Sequence, residues 1–261
     1  MKQELKALAR VVVLSIPAVR QVYNRRAFLH RAPACIGPFK SFAEAQAHVP
    51  PQSRIGFDHK GVADNLRGKT QFDDRDYPVL FWLSRIVPQV KRVFELGGST
   101  GQGFFVYDRY LSFAPDLEWT VCDLPEIIRA GREAAAERNE SRLHFTDRRE
   151  DADGTELYAT FGTLQYVEPP FAEILGKLAN KPRHLLISRV PFTDRESFYA
   201  LQNNGYYFAP YKLDNRADFL TSLQALGYKL VEEWRMIHPN SFLLPAGYSP
   251  PSYHGFYLTR G

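Results

Sequence analysis

Apolar residues recur in short uninterrupted runs between residues 92 and 188, and longer stretches of mixed polarity separate these runs. Such runs predict strands, and the stretches between them have the length and periodicity of helices. The predicted strands are 92–96, 119–122, 143–146, 157–161 and 184–188, and the predicted helices are 102–112, 125–138 and 170–179. Because strand and helix alternate and the strands are apolar throughout, we expect an α/β fold with a parallel sheet covered on both faces.

The C-terminal third departs from this regular alternation. An insertion rich in aromatic residues occupies the region near 190–212, and a helix over 215–226 follows it. Apolar runs at 229–236 and 253–259 then predict two more strands. With the five earlier strands, the chain therefore predicts a sheet of seven.

The first 88 residues read as a helical and loop-rich extension that packs on the 89–261 domain and contributes a lid. Within it, 2–16 predicts an amphipathic helix, 33–60 is mostly loop around a short helix at 41–48, and 78–86 predicts an apolar helix. Eight basic residues against one acid give residues 1–40 a charge of +7, which leaves −3 for the rest of the chain. The segment 1–20 either docks on its own domain or lies peripherally on an anionic inner membrane surface.

Composition narrows the possible partners and location. Outside the N-terminal segment there is no basic stripe, which argues against a nucleic-acid partner. The two cysteines, Cys35 and Cys122, do not form a disulfide framework, so we expect a reducing, cytoplasmic location. No Cys and His cluster has the spacing of a metal site, so no metal is expected.

The segment VFELGGSTGQGFF (93–105) is the strongest chemical signal, because a glycine loop there joins a buried strand to a helix. Glycines let the chain turn sharply and let a ligand approach the main chain. A phosphate-binding P-loop would need Lys where Phe104 stands, and a dinucleotide fingerprint starting at Gly101 would need glycine where Val106 stands. The spacing of Glu95, Gly97 and Gly101 instead resembles the first motif of class I S-adenosylmethionine-dependent methyltransferases.

The ends of the following strands add three further candidates for cofactor binding. Asp123, followed by Leu124, ends the second strand, where a carboxylate accepts hydrogen bonds from ribose hydroxyls in Rossmann-like sites. The alternative is that Asp123 caps the helix that begins near Pro125. Asp147 follows the third strand, where it either meets an adenine edge or belongs to an ordinary charged loop.

Several longer segments sharpen the resemblance: ELGGSTG, IGFDH near Gly56, FGTLQYVEPP (161–170), LLISRVPFT (185–193) and GYYFAPY (205–211). Together they are similar to a bacterial family of class I S-adenosylmethionine-dependent methyltransferases whose members often occur among cell-surface polysaccharide functions. The resemblance implies a Rossmann-like class I methyltransferase fold, with a mostly parallel seven-stranded sheet, an antiparallel last strand and an N-terminal helical extension. It also implies S-adenosyl-L-methionine as the cofactor. The cofactor-binding residues would be Glu95, Gly97, Gly98, Ser99, Gly101, Asp123, Leu124, Asp147, Gly162 and Thr163.

The sequence gives weaker signals for the residues that would contact the methyl acceptor. Gln165 and Tyr166, after the fourth strand, are expected to face the methyl group or the acceptor. The alternative is that Leu164 and Tyr166 simply pack against the following helix. Tyr207 and Tyr211 of the aromatic insertion are expected to contact the substrate, or else to form an ordinary satellite core. The candidates for catalysis are Tyr166, His254 and Arg189, with anion binding as the alternative role of Arg189.

Three functions follow from these observations. The first is an S-adenosylmethionine-dependent methyltransferase acting on an oxygen of a small molecule or saccharide. The second is a catalytically silent relative that binds the cofactor and serves as a scaffold or partner, since no strong base motif is present. The third is an NAD-dependent oxidoreductase, which Val106 disfavours.

Overall fold

Seven strands form the central sheet in the computed structural model, which describes residues 17–67, 71–237 and 240–261. In spatial order they are β4 (Leu143–Thr146), β3 (Glu118–Cys122), β2 (Arg92–Leu96), β5 (Leu157–Phe161), β6 (His184–Thr193), β11 (Ser252–Arg260) and β9 (Tyr228–Met236). The pairs from β4 to β6 are parallel, and β11 is antiparallel to both of its neighbours. The predicted mostly parallel sheet with an antiparallel last strand is confirmed.

Helices cover both faces of this sheet. The helices α4 (Tyr77–Ile86), α5 (Gln102–Leu111) and α6 (Pro125–Glu137) pack on one face, and α7 (Phe171–Gly176) and α8 (Arg216–Ala225) on the other. Successive strand residues point to opposite faces, so Val93 joins the first core and Phe94 the second. Both faces are thus apolar, which is why the strand sequences show no alternation with polar residues.

A second group of four strands extends the sheet beyond the seven. It contains β10 (Ser241–Leu243), β1 (Ala34–Phe39), β7 (Phe198–Asn203) and β8 (Phe208–Asn215), in that order. It joins the central sheet where β6 continues past the end of β5 and pairs with β8, at Phe192↔Asp214 and Thr193↔Asn215. The aromatic insertion is therefore a β-hairpin built onto the sheet.

The prediction of a loop over the start of the 33–60 segment is wrong, because β1 lies there. Its sequence, ACIGPF, contains Gly and Pro, which weaken any local strand signal. The strand forms because its backbone pairs with β7, for example Cys35 with Gln202, far away in sequence. The short helix predicted at 41–48 is present as α2 (Phe42–Ala47), with Ser41 as its N-cap. The next helix along the chain is α3 (Lys60–Leu66).

The helix α1 (Pro17–His30) lies against β1. Phe28 is buried near its end, and the Asn203 side-chain amide donates to the Phe28 carbonyl oxygen at 2.8 Å. The predicted amphipathic helix at 2–16 lies outside the described residues. Among the helices that the structure does describe, none is both long enough and apolar enough to cross a bilayer.

Candidate functional site

At two positions, the glycine loop after β2 has a backbone conformation that favours glycine. Gly97 and Gly101 have φ angles of +72° and +81°. A Cβ on Gly97 would lie 2.0 Å from Thr163 Oγ1, and one on Gly101 would lie 2.5 Å from Leu143 Cδ2. Ser99, at the position where many methyltransferases carry glycine, also has a positive φ of +56°. The loop is therefore closely fitted between β4 and the end of β5.

Glu95 lies beneath this loop and is almost completely buried, with 2% of its surface exposed. The Trp119 indole nitrogen donates to Glu95 Oε2 at 2.9 Å. A Cβ on Gly98 would lie 2.6 Å from Oε2, and one on Gly103 would lie 3.0 Å from Oε1, so both glycines make room for the carboxyl group. Burial raises the pKa of Glu95 to about 7, against the opposing effect of the Trp119 hydrogen bond.

Asp123 ends β3 and faces the glycine loop. Its Oδ2 accepts a hydrogen bond from the Ser99 amide at 2.8 Å, and its Oδ1 accepts one from the Leu124 amide at 2.8 Å. Burial raises the pKa of this carboxyl group, while the two amides favour its ionised form. The N-cap of α6 is Leu124, without a side-chain cap, so the alternative that Asp123 caps this helix is wrong. Each carboxylate oxygen keeps a lone pair for a further donor.

Two cavities meet at the glycine loop, on the edge where the parallel strands end. The Asp123 cavity, of about 380 Å³, has walls from the loop, the end of β3 and the turn after β5. The Arg189 cavity, of about 580 Å³, lies between the loop, the 71–76 segment and β6. The residues that line both cavities are Gly97, Ser99, Gln102 and Phe161. Both volumes fall within the range of small-molecule sites.

Most of the residues predicted for the cofactor converge on these cavities. Those that line the Asp123 cavity are Gly97, Ser99, Asp123, Leu124, Asp147, Gly162 and Thr163. Those that line the Arg189 cavity include Glu95, Gly97, Gly98 and Ser99. Gly101 lines neither cavity and supports the loop from behind, against Leu143.

Arg189 reaches its cavity because β6 contains a bulge. Two residues of β6, Ser188 and Arg189, stand opposite the single residue Gly255 of β11, and Arg189 has a φ of +60°. A bulge of this kind redirects a side chain that regular pairing would point elsewhere. The Arg189 guanidinium forms an ion pair with the buried Asp76, while its Nε is buried and has no hydrogen-bond partner among the described residues.

The acidic segment before α4 is a part of the site that the sequence did not reveal. The Tyr107 hydroxyl donates to Asp76 Oδ1 at 3.0 Å, and Arg75 Nε donates to Asp73 Oδ1 at 2.6 Å. All four of these residues line the Arg189 cavity. The run DDRD before a helix would have been a usable signal, but it equally fits a simple capping box, and Asp73 and Asp76 do form one.

Tyr166 lines the Asp123 cavity with its ring, not with a free hydroxyl. The hydroxyl donates to Gln202 Oε1 at 2.7 Å, and the ring packs edge-on against Phe57 and Tyr211. Burial raises the pKa of Tyr166 well above its usual range. In this conformation Tyr166 forms a wall of the cavity and is poorly suited to accept a proton.

The structure does not bring His254, one of the candidates for catalysis, to either cavity. Its side chain is fully buried and lines neither cavity. The ring packs against Phe192 and Phe256, in the core under α8, and Nδ1 lies 2.5 Å from Glu233 Oε1. The register of β11 places His254 on the same face as Phe256, in this core and away from the glycine loop. In this structure His254 is therefore a packing residue, and a catalytic role for it stays a prediction.

The other predicted acceptor residues lie behind the cavity walls. Gln165 is buried, and its side-chain amide donates to the Gly162 carbonyl oxygen at 2.8 Å. Tyr207 packs against Phe57, with ring centroids 4.5 Å apart, and Tyr211 is completely buried. The structure therefore does not bring Gln165, Tyr207 or Tyr211 to the lining of either cavity, and their substrate contacts stay a prediction, while the packing of the two tyrosines fits the alternative of a satellite aromatic core.

No protein-family model matches the chain, and no curated protein sequence matches it. Solved structures do match. One is the N-terminal domain of EvdMO1 in the presence of S-adenosylhomocysteine and D-fucose, at 12% identity, covering 77% of this chain and 95% of that one, with a TM-score of 0.53. Another is the CcbJ methyltransferase from Streptomyces caelestis, at 14% identity, covering 78% and 97%, with a TM-score of 0.50.

A third match is an S-adenosylmethionine-dependent methyltransferase from Methanosarcina mazei, at 10% identity, covering 70% of this chain and 97% of that one, with a TM-score of 0.52. At these identities the likeness concerns the fold. With the strand order and the position of the antiparallel strand, it establishes a Rossmann-like class I methyltransferase fold. That part of the sequence-based prediction is confirmed, whereas membership of the bacterial family with polysaccharide functions stays a prediction.

Proposed function

We propose that this protein is an S-adenosylmethionine-dependent methyltransferase that methylates an oxygen of a small molecule or saccharide. The observation that carries the proposal is the carboxylate of Asp123, which lies on the wall of a ligand-sized cavity opposite a glycine loop. A ribose placed there would donate its hydroxyls to Asp123. The fold that this chain shares with methyltransferases supports the same function.

The chemistry of the loop fits a positively charged ligand better than a pyrophosphate. Glu95 lies directly beneath the loop, where a nearby cation would lower its raised pKa and favour its ionised form, and Phe104 stands where a phosphate-binding loop has its lysine. The Ser99 hydroxyl is buried and has no hydrogen-bond partner among the described residues, so it is available to a ligand. S-adenosylmethionine supplies, when bound, a methyl group on a sulfonium that is already a good leaving group.

The two cavities suggest where each part of the cofactor and the acceptor would bind. We assign the adenosine to the Asp123 cavity, with Leu124 and Asp147 beside the base, and the amino-acid end to the Arg189 cavity. The acceptor would enter the remaining space of the Arg189 cavity, beside Phe161, which lines both. Holding two reactants in line and excluding water supplies much of the rate enhancement in such a displacement.

The walls of the Arg189 cavity suit a polar acceptor. Arg189 offers an unpartnered Nε, and the aromatic rings of Phe72 and Phe161 offer flat surfaces of the kind on which sugars or aromatic rings stack. Asp76 already accepts hydrogen bonds from Tyr107 and Arg189, and Arg75 holds the pKa of Asp73 below its usual range, so neither is a strong base. We therefore attribute catalysis mainly to positioning.

The N-terminal extension contributes directly to these walls. Phe57 and Leu66 line the Asp123 cavity, and residues 71–76 line the Arg189 cavity. We propose that residues 1–88 form an extension that packs on a Rossmann-like domain of residues 89–261 and contributes a lid through these wall residues. The cytoplasmic location predicted from the sequence stays a prediction.

Calorimetry with S-adenosylhomocysteine tests the cofactor assignment through Asp123→Ala. Loss of two hydrogen bonds to a carboxylate should weaken binding about 10-fold or more. The matched control is Asp116→Ala, because Asp116 is an exposed aspartate close to the other end of the same strand. Equal affinity of the wild type and Asp123→Ala would remove the proposed ribose site, and tight binding of NAD would favour an oxidoreductase instead.

A catalytically silent cofactor-binding protein is the second candidate. It is favoured by the engaged hydroxyl of Tyr166 and the buried position of His254, since no described histidine lines either cavity. Transfer of a radiolabelled methyl group from S-adenosylmethionine to a panel of saccharides and phenols distinguishes the two. Turnover establishes the enzyme, whereas tight S-adenosylhomocysteine binding without any transfer favours the scaffold.

A further inference from the structure

A cavity of about 1000 Å³ lies under α1 and is separate from the candidate site. Its floor is formed by β1, and its sides by the 47–51 and 243–246 segments. The groove lies on the face of the four-stranded group to which Ile36 points. Cys35 and Tyr211 point to the opposite face, where Tyr166 packs against them. The strands therefore separate this groove from the methyltransferase site.

The groove has an apolar floor and a basic rim. The apolar residues that line the groove include Phe28, Ile36, Phe39, Val49 and Leu243. The rim carries Arg20 and Arg25 of α1, and none of the described lining residues is acidic. Such a groove is complementary to a molecule with a long apolar part and an anionic end.

The outer surface of α1 points to a membrane as the source of that molecule. Val19 and Val22 are exposed, Val22 to 71%, and their three-residue spacing places them on one side of the helix, whereas the exposed Leu29 lines the groove. Arg25 and Arg26 are exposed beside them. Exposed apolar side chains beside exposed arginines match the apolar and anionic parts of a membrane surface.

We propose that α1 and the groove beneath it form a lipid site, in which an acyl chain of an anionic membrane lipid enters the groove while its headgroup meets Arg20 and Arg25. The site does not depend on the proposed methyl transfer, and it would hold the protein at a membrane surface.

The proposal is tested on the full chain with cis-parinaric acid, a fluorescent fatty acid whose emission rises in an apolar site. Ala47 lines the groove and Ala43 does not, although both are exposed on α2. We expect Ala47→Trp, which fills the groove, to weaken binding at least about 10-fold. Ala43→Trp should stay within about twofold, so equal behaviour of the two variants would overturn the proposal.

A second matched pair tests the charges. Replacing Arg20 and Arg25 by Gln should weaken binding about fivefold, as expected for two partly exposed ionic contacts. Replacing Arg26 and Arg31, which do not line the groove, changes the net charge equally and should have little effect. If both double substitutions weaken fatty-acid binding equally, the arginines act through general electrostatic attraction and not through a specific site.

Two further measurements identify the occupant. Cosedimentation should be stronger with vesicles of phosphatidylglycerol and phosphatidylcholine than with phosphatidylcholine alone, and Ala47→Trp should reduce it. If Ala47→Trp sediments with the anionic vesicles as strongly as the wild type does, the membrane role of the groove is overturned. If the fatty acid binds only after Leu5→Glu and Leu8→Glu are introduced, residues 1–16 of the chain itself fill the groove and the lipid proposal fails.

Discussion

Burial of Glu95 beneath the glycine loop should make the stability of this protein depend on pH. Burial raises the pKa of Glu95 from its ordinary 4.5 to about 7, so the folded state keeps the proton to a higher pH than the unfolded state. The stabilisation by this group is complete below about pH 4.5 and is lost as the pH rises through about 7. A shift of about 2.5 pH units at 1.36 kcal/mol per unit corresponds to about 3 kcal/mol.

Glu95→Gln removes the titration and leaves a side chain of similar shape, whose carbonyl oxygen still accepts from the Trp119 indole. Between pH 5 and pH 8, we expect the wild type to lose about 2 to 3 kcal/mol of unfolding free energy relative to this variant. Urea denaturation followed by tryptophan fluorescence at several pH values measures the difference. Glu118→Gln, on the exposed first residue of β3, serves as the control.

If the wild type and Glu95→Gln show parallel dependence of stability on pH, Glu95 is not held in a buried, protonated state. The steric account of why Gly98 and Gly103 are glycines would still hold, because it depends on the position of the carboxyl group and not on its protonation. A wild type that gains stability relative to the variant as the pH rises would show that the ionised form is favoured instead.

Two further substitutions test the packing of the site. Gly97→Ala should lower the unfolding free energy by about 2 to 4 kcal/mol in urea denaturation, because a Cβ there meets Thr163 in a left-handed backbone. Gly176→Ala, in a helix with no atom within 4 Å of the new Cβ, should be neutral or stabilising, and equal losses would refute the argument. His254→Leu should lower stability by about 1 to 3 kcal/mol without changing S-adenosylhomocysteine affinity in calorimetry, and a weakened affinity would restore His254 to the site.

The sequence by itself determined the elements whose signals are local. The boundaries of β2, β4 and β5 match the apolar runs, because a strand covered on both faces must be apolar along its whole length. The turn at Gly97 and Gly101 was also evident, because few residues other than glycine adopt its backbone. The position of Asp123 followed from strand order alone, since parallel strands end at the same edge of a sheet.

Only the tertiary structure decided which distant side chains meet. β1 has little strand character of its own and exists through its pairing with β7. Arg189 enters its cavity because a bulge in β6 redirects it, and it then pairs with Asp76, which lies 113 residues away. In the sequence, His254 was as good a candidate for catalysis as Arg189, but the register of β11 points its side chain into the core. The type of a side chain is written in the sequence, whereas its direction depends on the register and bulges of strands that pair over long distances.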